Sequence, residues 1–290
     1  GKVSLGHSSG KVRVVVKQLA GLRRKPPITR SPTTAGVNTR EYLSSKDLLA
    51  DFHTRVNLHP SSFDDFLEHP NLNRFPNVLC LDRSRVKVSK KFGNGDYCHA
   101  SYVDSYEEKN GYILSQAPFT SETEELFWRM IVDTKPKIIL VLGSSSVIAF
   151  LNLNSLRETK DLSRNNHVQA PSGQNIQCFW PEKTSKMYSN KLKVAVVNVD
   201  KVGMNKFDKV QFQVKAIEAT LKNNSGPTVL VCPSGATRCG TYAAVDITLS
   251  RINKDKRVGV KETIEIILSQ RYGCFQLIEH YKTIHDIAQR

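Results

Sequence analysis

The chain has 290 residues, 39% hydrophobic and 24% charged, long enough for one large domain with a sizeable core. It carries 42 Lys and Arg against 27 Asp and Glu, a formal charge of +15. Six cysteines (80, 98, 178, 232, 239 and 274) show no CxxC pair or regular spacing, and no signal peptide or long apolar run stands out. That pattern argues against a disulfide framework and for reduced, mostly buried thiols of an intracellular protein.

Charge divides the chain. Residues 1–34 hold eight Lys and Arg and no Asp or Glu, so this stretch carries +8 and the remainder +7. We read residues 1–36 as a basic N-terminal arm and linker, and 37–290 as the domain. Nucleic acid, an anionic membrane or an acidic partner would suit such an arm, and a solvated extension is the plainer reading. Residues 11–25 read as a short strand or helix, and the Pro, Ser and Thr stretch to Thr34 as a linker. Tyr42, Leu43, Leu48, Leu49, Phe52 and Val56 follow helical spacing within 39–56. Ser61 and Ser62 are expected to cap a short helix over 63–68 that Pro70 ends. Residues 97–104 and 112–116 read as strands joined by a turn at 107–111. Thr120 is placed to cap a helix over 120–132, with Glu122, Glu124 and Glu125 near the favourable positive end. The run KIILVLG at 137–143 suits a central strand. Residues 193–197 read as another strand, and 207–221 as a helix.

The most informative stretch is VLVCPSGATRCG, 229–240. Residues 227–231 form an apolar run ending in Cys232, and the sequence from Thr241 onward has helical spacing. A strand, a tight loop and a helix N-terminus turn backbone N–H groups inward as a nest for an anion. The same field favours a thiolate at Cys232. Arg238 can grip a phosphate with two parallel hydrogen bonds, and Gly235 lets the backbone approach it. A thiolate beneath a cradled phosphate is arranged for attack on phosphorus. A structural cysteine ending a core strand explains Cys-x5-Arg alone about equally well.

Other segments resemble the classical protein tyrosine phosphatases in order and spacing over roughly residues 40–290. Residues 73–75 (NRF) resemble the family's NRY phosphotyrosine-recognition loop, 82–86 (DRSRV) its DxxRV, and 96–104 (DYCHASYVD) its DYINASYID. Residues 112–118 (YILSQAP) resemble YIATQGP, 125–130 (ELFWRM) the DFWRM helix, and 270–276 (QRYGCFQ) the QRxGMVQ segment. The resemblance implies an α/β fold with a central, highly twisted mixed β-sheet flanked by helices, the Cys-x5-Arg phosphate-binding loop lying between a strand and a helix. It implies a nucleophile at Cys232, an anion-binding Arg238 with loop residues Pro233, Ser234, Gly235, Ala236 and Thr237, an aromatic ring at Phe75 that stacks on the substrate, and a water-positioning Gln276.

The departures from the family fall on turnover. Val231 replaces the signature histidine, Cys239 the hydroxyl that follows the arginine, Thr237 a glycine, Asn77 an acidic residue and His280 a second glutamine. A reversible Cys232–Cys239 disulfide is one reading of this second thiol, and a buried small residue is the plainer one. Trp180-Pro181-Glu182 mimics the family's mobile acid loop, but it lies 50 residues before Cys232 and follows a structural context, so Glu182 is rejected as the acid. The acid-loop position, 198–204, reads NVDKVGM without Trp or Pro. Alignment on Gly203 puts Lys201 in the acid's place, and a one-residue shift makes Asp200 the acid. Losing a general acid typically costs on the order of 10²–10⁴ in rate.

Kept grip with altered turnover points to a pseudophosphatase, a regulatory module that binds phosphotyrosine or a tyrosine-bearing segment. Its expected partner is a tyrosine-phosphorylated protein, with a kinase activation loop as one form. The alternatives are an active, divergent phosphatase working through a phosphocysteine on Cys232 with Asp200 as acid, and a scaffold that no longer binds phosphate. No metal ligand cluster or cofactor motif is read. The expected setting is cytoplasmic, or the cell cortex or membrane through regions outside this chain.

Overall fold

The computed structural model describes residues 11–17, 45–56, 60–142, 176, 179–180, 185–189, 192–202, 207–216 and 226–289. Cys178, Glu182 and the linker up to Thr34 lie outside them. Among the described residues nine strands form one mixed sheet: β1 (Lys11–Lys17), β2 (Arg85–Lys87), β3 (Tyr97–Val103), β4 (Tyr112–Gln116), β5 (Pro136–Leu142), β6 (Ser185–Ser189), β7 (Leu192–Val202), β8 (Phe207–Ala216) and β9 (Gly226–Cys232). Their order is β2-β3-β4-β9-β5-β1-β8-β7-β6. The pairs β4–β9, β9–β5 and β5–β1 are parallel and the rest antiparallel. Residues 11–17, which the charge pattern assigns to a basic arm, run between β5 and β8.

The helices are α1 (Ser45–Val56), α2 (Asp64–Glu68), α3 (Ser121–Thr134), α4 (Thr237–Asp255), α5 (Val260–Gln270) and α6 (Ile278–Ala288). Because side chains alternate along a strand, the central strands feed two cores. Ile113, Ile139, Val141, Val229 and Val231 pack with Phe127, Trp128 and Met130 of α3 on one face. Leu114, Leu140, Leu142, Leu230 and Cys232 pack with residues of α4, α5 and α6 on the other. The alternation sends Val231 to the α3 side and Cys232 to the α4 side, so neighbouring residues serve opposite layers.

Three local expectations change. The helix expected over 207–221 is strand β8 from Phe207 to Ala216: its apolar residues Val210, Phe212, Val214 and Ala216 recur every second position, which suits a strand paired on both sides. The strand expected to end near Val197 runs on to Val202, past a register shift at Val196/Asn198. The short α2 is not capped by Ser61 or Ser62. The Asp82 carboxylate accepts the N–H of Asp64 at 2.8 Å and of Asp65 at 3.1 Å, satisfying the first-turn donors from across a loop. Thr120 does cap α3, in a reciprocal box with Thr123.

Candidate functional site

The loop 233–236 joins the end of β9 to the start of α4, with both flanks held by burial. Cys232 is 1% exposed, and its carbonyl accepts the N–H of Ala117 at 2.8 Å, which ties β9 to the chain leaving β4. Gly235 has φ +65°, and a Cβ there would run into the amide nitrogen of Gln116 and the carbonyl carbon of Ser115. The loop can therefore close against β4 only with glycine at this position. Thr237 and Arg238 are half-buried in the first turn of α4, and Arg238 Nη1 donates to the Leu142 carbonyl at 3.4 Å.

Arg271 holds the loop from beneath. It is fully buried. Its Nε donates to the Gly235 carbonyl at 3.0 Å, Nη1 to Ser101 Oγ at 3.0 Å, and Nη2 to the Ser234 carbonyl at 3.2 Å and His99 Nδ1 at 2.9 Å. His99 Nε2 in turn faces the Val78 carbonyl at 2.8 Å, so the partners select the Nε2–H tautomer. Burial, with the Arg271 charge adding to it, drives the His99 imidazole down to about 3. It is neutral, and serves as an acceptor for the arginine.

The Cys232 thiol is pulled from an ordinary value near 9 down to about 6. Burial opposes this most strongly, and it is outweighed by hydrogen bonds from the Cys239 thiol and N–H, the Ser234 hydroxyl and the Arg238 N–H. These donors sit at the positive end of α4, where an anion is favoured. Cys239 goes the other way: burial and its hydrogen bond to Cys232 push it well above the usual thiol range, so it stays protonated as a donor. Cys274 is pushed up to about 12, chiefly by burial. Cys232, Cys239 and Cys274 are all free thiols.

The recognition loop at 73–77 is tied to the same corner. Asn73 accepts the Tyr97 hydroxyl at 2.6 Å and donates to the Phe66 carbonyl at 2.7 Å. Gln116, in register with Cys232 across β4 and β9, donates to the Leu72 carbonyl at 2.6 Å and accepts the Arg74 N–H at 3.0 Å. Phe75 packs half-buried against the core cluster that contains Cys232. Burial lowers the Arg74 pKa, and the charge on Cys232 works against that, so the two groups sense one another.

The sequence from 69 to 148 and from 203 to 290 matches the family model for the protein-tyrosine phosphatase domain. The chain belongs to the protein-tyrosine phosphatase family. It is similar to human receptor-type tyrosine-protein phosphatase zeta, 28% identical over 265 residues, covering 77% of this chain and 11% of that protein. Tyrosine phosphatase H3 of Microplitis demolitor bracovirus is 27% identical over 262 residues, covering 74% of this chain and 79% of that protein. Receptor-type tyrosine-protein phosphatase F of Danio rerio is 23% identical over 292 residues, 93% of this chain and 15% of that protein. The chain thus spans a small part of the receptor-type relatives and most of the viral one.

Within this phosphatase domain the remaining candidates scatter. Gln276 is exposed in the turn between α5 and α6. His280 is half-buried at the start of α6; burial lowers its pKa and the Arg238 charge adds to that, which places the imidazole within electrical reach of the loop. Asp200 belongs to β7. Its backbone pairs with Lys209, Lys209 with Val15, Val15 with Leu140 and Leu140 with Leu230. Four strand spacings separate its backbone from β9, roughly 19 Å. Trp180 packs at the α3-side core, beside Phe179. Pro233 lines the loop but has no N–H to offer an anion. Arg74, Gln116, His99 and Ser101 are not singled out from sequence; all four lie in family-like segments, and that is their only signal. Among the described residues no group of three or more His, Cys, Asp or Glu is arranged to hold a metal, and no helix is long and apolar enough to cross a membrane.

Proposed function

We propose that this domain is a pseudophosphatase: it holds a phosphotyrosine-bearing segment at the 232–238 loop and turns it over poorly. The observation that carries the reading is the contrast between the two halves of the chemistry. The sulfur of Cys232 is surrounded by donors that favour the thiolate, and Arg238 stands in the adjoining turn. The backbone of Asp200, the acid that the sequence offers for the leaving oxygen, runs in β7, four strands away. Grip without a proton donor gives binding with little turnover, because an aryl oxide leaves poorly without protonation.

The partner is a tyrosine-phosphorylated protein, and a kinase activation loop is one segment of that chemistry. A chain of charge +15 suits an acidic phosphopeptide, and the basic residues on either side of β1, Lys2, Arg23, Arg24, Lys25 and Arg30, give it a second contact to an acidic partner or anionic surface. The five buried free thiols among the described residues fit a cytoplasmic setting. A second reading, an active divergent phosphatase, draws support from the thiolate character of Cys232 and from the similarity to tyrosine phosphatases. Turnover of an aryl phosphate, measured beside the affinity for a phosphotyrosine peptide, separates the two. Measurable affinity with negligible turnover supports the pseudophosphatase, whereas phosphocysteine trapping and ordinary turnover, lost in Cys232→Ser, support the enzyme.

A further inference from the structure

The loop that would receive the phosphate is already occupied by one of its own side chains. Ser234 Oγ accepts the N–H of Ala236 at 3.2 Å and of Thr237 at 3.3 Å, and lies 3.0 Å from Thr237 Oγ1. The same oxygen is 3.8 Å from Cys232 Sγ. An atom in contact with both the amides and the sulfur stands in the space between them. That is where an oxygen of a bound tetrahedral anion has to sit, since it needs those amides and must lie over the sulfur. Several other donors of the loop and of the first turn of α4 are also accounted for. Pro233 has no N–H, Gly235 donates to the Cys232 carbonyl at 3.1 Å, and the N–H groups of Arg238 and Cys239 serve the sulfur.

We infer that Ser234 is a specificity-determining residue whose hydroxyl fills the anion cradle, so that the site discriminates against free inorganic oxyanions in favour of a phosphate carried on an aromatic ring. The inference rests on the oxyanion-cradle reading above and adds a selection to it. A charged oxygen forms the stronger hydrogen bonds, so an incoming phosphate can displace the hydroxyl, but the serine must give up two amide bonds and turn away. Two ordinary hydrogen bonds correspond to about a tenfold to thirtyfold handicap. An aryl phosphate offsets that handicap because its ring gains contact with Phe75, half-buried at the edge of the same core cluster. Free phosphate has no such gain. The plainer role for Ser234 is a helix cap, since its hydroxyl serves two amides at the start of α4, and the test must distinguish the two.

The experiment measures dissociation constants for inorganic phosphate, tungstate and a phosphotyrosine peptide by calorimetry on the whole chain, for the native protein, Ser234→Ala and Thr237→Val, with a thermal melt of each. In Ser234→Ala the free oxyanions should bind about tenfold to thirtyfold tighter and the peptide should gain less, so that the discrimination between them shrinks. Thr237→Val keeps the amide and removes the partner hydroxyl, and should show a smaller change in the same direction in a folded protein. Unchanged or weaker oxyanion binding in both variants, with native binding intact, overturns the inference and leaves Ser234 as a cap. Peptide and oxyanion binding absent from all three proteins overturns the cradle reading, and the inference with it.

Discussion

Arg271 is the strongest single test of how the loop is held. Its guanidinium joins two loop carbonyls, Ser234 and Gly235, to Ser101 and His99 on β3. Arg271→Met fills much of the same volume and removes every donor. Four buried acceptors then lose their partner, at about 1–3 kcal/mol each. Part of that is offset because a buried cation is itself expensive to desolvate. A net loss of about 3–5 kcal/mol follows, a large share of the 5–15 kcal/mol that typically stabilises a folded protein. Urea unfolding followed by tryptophan fluorescence reads it directly. The same variant should also lose the alkylation midpoint of Cys232 near pH 6, because the loop amides no longer converge on the sulfur. A loss below about 1 kcal/mol, or a destabilised protein whose Cys232 still titrates near 6, would refute the claim that Arg271 shapes the loop.

Three further outcomes follow from the same geometry. Gly235→Ala should abolish oxyanion and phosphopeptide binding, because the added Cβ meets the backbone of Ser115 and Gln116 and the residue needs φ +65°; retained affinity in calorimetry would contradict it. Cys239→Ala should raise the Cys232 alkylation midpoint by about one pH unit, the value of one modest hydrogen bond to a charged group. Cys239→Ser should leave it unchanged or lower it, because a hydroxyl is the better donor. Since Cys232 falls from near 9 to about 6 on folding, its thiolate stabilises the fold fully above pH 9, and that contribution fades as pH drops and is gone below 6. The stability gap between the native protein and Cys232→Ser should therefore widen by about 1.4 kcal/mol per pH unit between those limits, and a flat gap in urea melts across pH 5.5–9 would be the contrary result.

The parts of this fold that were legible in the sequence are those fixed by local pattern. The run at 227–231 can only be buried, and β9 follows. The Thr120 cap and the apolar stripe of α3 lie within one stretch of chain. What stayed hidden depends on residues far apart. Asp82 caps α2 from the far side of a loop, where Ser61 and Ser62 look sufficient by proximity. The helix expected over 207–221 is strand β8 because its apolar residues alternate from Val210 to Ala216 and its backbone pairs with β1 and β7. In the candidate site, the residue types of the loop are visible as a motif. Their occupancy is not: that the Ser234 hydroxyl turns onto the Ala236 and Thr237 amides, and that Arg271 reaches the loop from 36 residues away, emerges only once β3, β4 and β9 are side by side.

The central claim is a retained oxyanion grip without the proton donor that expels a tyrosyl oxygen. Single-turnover measurement with a phosphotyrosine peptide at pH 6–8, beside its equilibrium affinity, tests it most directly. The account predicts saturable binding that Arg238→Ala abolishes, with little release of phosphate and no acceleration dependent on Asp200. Rapid phosphate release that Asp200→Asn slows by 10²-fold or more would contradict it.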